Sequence, residues 1–137
     1  MSDIKYIYFD LRVKGEPARL LLAHGGVKYT DERIELAWND PKPWTELKPS
    51  MPWGQLPMLQ WKGESICQSM AICRFLAREF GIAGKTSLEM AQVDEIVDVI
   101  QDGISGTYKA WRGGMYTNKS KEELVKLTEL SDHAEPA

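Results

Sequence analysis

The chain has 137 residues, 43% of them apolar and 27% charged, enough for a packed domain and too apolar for a disordered one. Its net charge of −3, with Lys and Arg scattered along the chain, excludes a basic nucleic-acid footprint and a cationic membrane patch. No apolar run reaches the ~20 residues of a membrane span, and the N-terminus lacks the long apolar stretch of a signal peptide, so a cytoplasmic location is expected.

Ile4 to Phe9 alternates as a strand, with Ile4, Tyr6 and Tyr8 on one face and Ile7 and Phe9 on the other. Gly15-Glu16-Pro17 opens a helix, since proline fits a first turn where its missing N–H loses no partner. Ala18, Leu21, Leu22 and Gly25 form its buried face, and Gly25-Gly26 ends it. Val27 to Leu36 contains a second strand, and a β-α-β order favours a parallel pair joined by a crossover helix. Residues 37–55, rich in Pro, Trp and polar side chains, are expected to be irregular.

Leu56 to Trp61 reads as a strand that begins at a proline, Lys62-Gly63-Glu64 as a turn, and Ser65 to Cys67 as a short returning strand. Ser69 is expected to cap a helix carrying Ile72, Phe75, Leu76 and Phe80. This order, β-α-β then β-β-α, is thioredoxin-like. The chemistry of thioredoxins is absent, because Cys67 and Cys73 are not a Cys-x-x-Cys pair and no histidine lies near them, so both are expected to be reduced and structural.

Gly81 to Lys85 reads as a linker. Thr86 and Glu89 make a capping box for a new helix, with Val93, Val97, Ile100 and Ile104 on an apolar face and Asp94, Asp98 and Asp102 lining another. Gly103, Gly106 and Gly113-Gly114 weaken it towards its end. A second capping box, Ser120 with Glu123, starts a helix carrying Leu124, Leu127 and Leu130. The expected organisation is an α/β, thioredoxin-like domain over 1–81, followed by an incomplete all-α domain over 82–137.

Several segments carry a family pattern in order. They are Tyr8-Phe9 with Gly15-Glu16 and Arg19; Trp44-Thr45-Glu46-Leu47-Lys48; Pro52-Trp53-Gly54-Gln55-Leu56-Pro57; Gln68-Ser69 with Arg74 and Leu76; and 84–89 with 93–96. Over residues 4 to about 102 this set resembles the cytosolic glutathione transferases, and within them the sigma class. The resemblance implies an enzyme, commonly a homodimer, that binds glutathione as co-substrate and transfers its thiolate to small hydrophobic electrophiles. No metal is required, although some sigma-class relatives bind a divalent cation near the Asp102 region, where Gln101 here replaces a helpful second acid.

The implied catalytic residues are Tyr8 and Lys14. A free thiol of pKa ~8.5 is only a few per cent thiolate at pH 7, and a tyrosine hydroxyl donating to the sulfur favours the charged form. A shift of about two units needs only ~2.7 kcal/mol of preferential stabilisation. Val13-Lys14 departs from the Gly-Arg common in the family, which keeps the charge but loses the planar guanidinium. The implied glutathione contacts are Tyr8, Trp44, Lys48, Gln55, Leu56, Pro57, Gln68, Ser69 and Asp102.

Leu56-Pro57 is the expected cis peptide, presenting the Leu56 backbone to the cysteinyl part of glutathione like an added strand. Gln68-Ser69 at a helix N-terminus suits the γ-glutamyl carboxylate. Trp44 and Lys48 would hold the glycine end, although Trp38 and Lys42 share their spacing; preferring the later pair implies an insertion around residues 37–43. Asp102 corresponds to an acid that reaches the partner's bound γ-glutamyl amine, and the Asp94–Asp98–Asp102 stripe reads equally as a solvated helix face.

In the family a complete helical domain helps to form the electrophile pocket, of which 82–137 is expected to retain a remnant; the apolar surface around Ile100, Tyr108, Trp111 and Leu127 then implies either a fragment or truncated product, or a partner that covers it. Detoxifying conjugation, peroxide reduction and prostaglandin isomerisation are all family activities. The alternative is a catalytically impaired product that binds glutathione, interferes with dimers, or serves a structural, crystallin-like role.

Overall fold

Alternation in the first segment fixes the architecture. Strand β1 (Ile4–Phe9) sends Ile4, Tyr6 and Tyr8 to one side of the sheet and Ile7 to the other, and each side builds its own core. The computed structural model describes residues 3–35 and 42–116, the segment 107–116 as helical backbone. Compact units span Met1–Gly84 and Lys85–Ala137.

The first unit holds a four-stranded sheet in the order β2-β1-β3-β4, with β2 (Thr30–Ile34), β3 (Met58–Trp61) and β4 (Glu64–Cys67) completing it. β2 runs parallel to β1 after the crossover helix α1 (Glu16–His24), while β3 is antiparallel to both β1 and β4. α1 and α3 (Ser69–Glu79) cover one face. Their Ala18, Leu22, Ile72 and Leu76 bury against Ile4, Tyr6, Tyr8 and Leu59. This is the expected thioredoxin-like α/β arrangement.

On the other face Ile7, Met51 and Met58 form a smaller core with partly buried Trp44 and Leu47. Those two come from a helix the sequence did not announce. The stretch expected to be irregular contains α2 (Lys42–Leu47) and a 3-10 turn, Lys48–Ser50. Pro43 lies in the first turn of α2, where it is tolerated. Trp44 and Leu47 supply its inward side. A helix of 6 residues is too short to show periodicity, and tertiary packing holds it.

α3 stops at Gly81, whose φ of 72° lets the Ile82 N–H turn back onto the Ala77 carbonyl at 2.9 Å. In the second unit, Thr86 and Glu89 form the expected capping box: the Glu89 N–H donates to Thr86 Oγ1 and the Thr86 N–H to Glu89 Oε2, both at 3.1 Å. It starts α4 (Ser87–Tyr116), 30 residues long, which runs through Gly103, Gly106 and Gly113-Gly114 rather than fading there. Val93, Ile96, Val99, Ile100 and Ile104 are exposed along it. The Ser120–Glu123 box and Leu127 lie outside the described residues, as do the side chains of Tyr108 and Trp111.

Both cysteines are reduced. Burial pushes the Cys73 thiol from 9.0 up to about 11, with Arg74 pulling weakly the other way. Burial also raises the Tyr6 phenol. Because folding raises the proton affinity of Cys73, its contribution to stability is intact below pH 9 and is lost as pH rises through about 11. The thermal midpoint is therefore expected to drop across that window, and Cys73→Ala to show a shallower drop from a lower starting point. Calorimetry in alkaline buffers measures both.

Candidate functional site

The sheet register gathers the predicted residues at one end of the fold. Ile7 pairs with Met58 and Met58 with Cys67, so these residues form a row across β1, β3 and β4. One step beyond that row stand Tyr8, Pro57 and Gln68, and beyond Gln68 comes Ser69. Residues far apart in sequence thus meet because β3 begins and β4 ends at this row, while β1 runs on to Phe9 beside β2. Phe9 links α2 to the same end: its ring lies edge-on to Tyr8 at 5.5 Å and to Trp44 at 5.2 Å.

Tyr8 is 5% exposed. Its ring rests on the backbone of Gly15, where a Cβ would collide with the ring, standing 2.7 Å from Cε1. The neighbouring Tyr6 hydroxyl donates to the Gly15 carbonyl at 3.1 Å, holding the 3-10 turn Val13–Gly15 against β1. Lys14 sits exposed in that turn. Val13, which stands where the family commonly has glycine, adopts φ 30°, an uncommon conformation for a β-branched residue.

Arg19 organises this corner and is 6% exposed. It donates from Nη1 to the Leu11 carbonyl at 2.9 Å, from Nη2 to the Phe9 carbonyl at 3.4 Å and from Nε to Asp31 Oδ1 at 3.2 Å. Its guanidinium also lies 5.7 Å from the Tyr6 ring centre and 5.8 Å from that of Tyr8. Asp31 is shared with Arg33, which reaches Asp10 as well.

In the second half of the site the Leu56-Pro57 peptide is cis, as expected. Trp44 is half-buried in α2; Lys48 is exposed and opens the following 3-10 turn. Gln55 is exposed, and its Oε1 accepts from Gln68 Nε2 at 3.4 Å, tying the segment before Pro57 to the start of α3. Ser69 is not the cap of that helix. Gln68 takes the N-cap position with φ 74° and ψ 120°, Ser69 is the first helical residue, and no side-chain bond caps the end. The positive φ at Gln68 lets the helix begin one residue earlier than capping preference alone suggests.

Of the competing glycine-end pair, Lys42 opens α2 and Trp38 lies outside the described residues. Asp102 is exposed on α4, in the second unit. Among the described residues no His, Cys, Asp and Glu cluster could hold a metal ion, and no helix is long and apolar enough to cross a membrane.

Residues 4–78 match the family model described as glutathione S-transferase, N-terminal domain. The chain belongs to the glutathione S-transferase family. It is 48% identical to glutathione S-transferase 1 of Ascaris suum over 127 residues, covering 92% of this chain and 59% of that protein. It is 46% identical to the hematopoietic prostaglandin D synthase of Gallus gallus over 102 residues, 74% of this chain and 49% of that one. The crystal structure of the Ascaris lumbricoides glutathione S-transferase superposes with a TM-score of 0.77 at 43% identity, covering 90% of this chain and 58% of the other. This transferase-family chain thus spans about half to three-fifths of the length of the curated relatives it matches.

Within this family scaffold, the roles of Gly15 and Arg19 escaped sequence reading. Both belong to the family pattern, but neither the close approach to Tyr8 nor the guanidinium bridge has a local signature. A buried arginine beside an alternating strand is the one available hint. Gly15→Ala is expected to destabilise the protein by about 1–3 kcal/mol in chemical denaturation, because the Tyr8 ring has nowhere to shift. Val13→Gly, by relieving the positive φ, is expected to raise stability by up to ~1 kcal/mol in the same measurement.

Proposed function

We propose that this chain binds glutathione across the shared edge of β1, β3 and β4 and activates its thiol for transfer to small electrophiles, as a sigma-like glutathione transferase. The carrying observation is the Ile7–Met58–Cys67 row, which sets Tyr8, Pro57 and Gln68 side by side. In this reading the exposed N–H groups and dipole of α3, with the Ser69 hydroxyl, receive the γ-glutamyl carboxylate. The Leu56 backbone pairs with the cysteinyl unit, Gln55 and Gln68 line the same stretch, and Trp44 and Lys48 meet the glycine carboxylate. Asp102 would serve the γ-glutamyl amine of a partner subunit in a homodimer.

The Tyr8 hydroxyl donates to the sulfur, and Lys14 adds positive charge, so the thiolate is favoured near neutral pH. The thiolate then attacks the electrophile: a carbon–sulfur bond forms and the leaving group departs with its electron pair. Glutathione serves as co-substrate, and the cytoplasm is the compartment where this chemistry is expected. A second reading, glutathione-dependent isomerisation of prostaglandins, is supported by the 46% identity to a relative named for that synthesis.

Retention on immobilised glutathione tests the site. Wild-type protein is expected to bind, and Ser69→Ala to bind at least tenfold more weakly, the scale of one charge-assisted hydrogen bond. Tyr8→Phe is expected to keep binding within a few-fold while lowering kcat on a chlorinated aromatic by a factor of ~10²–10⁴. Wild-type protein that fails to be retained would overturn the proposal.

A further inference from the structure

We propose that Arg19, with Asp31 as its counter-charge, is a positioning residue that sets through Tyr8 how strongly this site favours a bound thiolate. The inference rests on the glutathione reading above and deepens it. A guanidinium buried to 6% exposure carries a large desolvation cost, which an apolar residue of similar volume would avoid. Holding the loop after β1 accounts for its bonds to the Phe9 and Leu11 carbonyls. It does not account for a cation set over two tyrosine rings, at 5.7 Å from Tyr6 and 5.8 Å from Tyr8. A positive charge there draws electron density from the Tyr8 ring and strengthens its hydroxyl as a donor.

The charge is trimmed rather than cancelled. Asp31, from β2, meets Arg19 at 3.2 Å but divides its carboxylate with Arg33, at 2.8 Å. Glu16 stands 3.6 Å from the guanidinium on α1 itself. At Tyr6, on the strand that also carries Tyr8, the lowering influence of Arg19 outranks the raising influence of Asp31, whereas at Tyr29 the order is reversed. The other titratable or charged groups linked to this corner are Arg12 through Glu16, Asp10 through Arg33, Tyr6 of β1, Tyr29 and, from α3, Cys73. All of these remain in every variant below.

The test titrates the thiolate absorbance of glutathione bound to the full chain, with a thermal melt to confirm folding. An electrostatic role predicts opposite responses. Arg19→Met raises the apparent pKa of the bound thiol by about one unit, whereas Asp31→Asn, which leaves the cation less neutralised, lowers it by about half a unit. Arg19→Lys keeps the charge and stays within about half a unit of wild type although it loses the forked bonds. If Arg19→Met does not fold, the Asp31→Asn and Arg19→Lys pair decides. A thiol pKa that is unchanged or raised in Asp31→Asn, or raised in Arg19→Lys as far as in Arg19→Met, would leave Arg19 a structural clamp and overturn the inference. Wild-type protein that binds no glutathione would instead sink the function itself, and this inference with it.

Discussion

A buried cation holds the candidate-site end of the sheet in shape. Arg19 ties the loop that follows β1 to α1 and β2 through two backbone carbonyls and Asp31, beneath the two tyrosine rings of β1. Breaking such a pair strands an uncompensated charge, a costlier loss than any one surface contact. The loop it clamps leads into the Val13–Gly15 turn, and that turn supports Tyr8 from below. Backbone, ring and charge are therefore one unit, and the position of Tyr8 depends on all three.

The remainder of the site is assembled by strand endings. β3 and β4 stop at the level of Ile7 while β1 continues to Phe9, so the segments that leave β3 and β4 there lie beside Tyr8. Hydrogen bonding in the sheet is insensitive to which side chains follow, and this lets a thioredoxin-like frame hold the candidate residues Tyr8, Pro57 and Gln68 at this end without a Cys-x-x-Cys pair. The bond from Gln68 to Gln55 and the edge contact of Trp44 on Phe9 then join neighbouring segments across the same end.

Much of the frame was legible because its signals are local. Alternation in Ile4–Phe9, the Gly25-Gly26 stop and the Thr86–Glu89 box each involve residues within a few positions of one another. Where reading failed, the deciding contact was distant. α2 exists because Trp44 and Leu47 pack beside Ile7 and Met58, and Ser69 falls inside its helix because Gln68 takes a positive φ where β4 hands over to α3. Local preference placed irregular chain in the first case and a cap in the second, and packing overrode both.

The sequence by itself determined the strand and helix order, the two faces of β1, the capping box of α4 and the family pattern that names the candidate residues. Periodicity and short-range hydrogen bonding are enough for these, since each is set within a turn or a strand. Only the tertiary structure decided that Tyr8, Pro57 and Gln68 stand in one row, that Gly15 must lack a side chain beneath Tyr8, and that Arg19 serves two strands and a loop at once. Those are properties of register and burial, which arise when distant segments share one core and have no representation in any single stretch of chain.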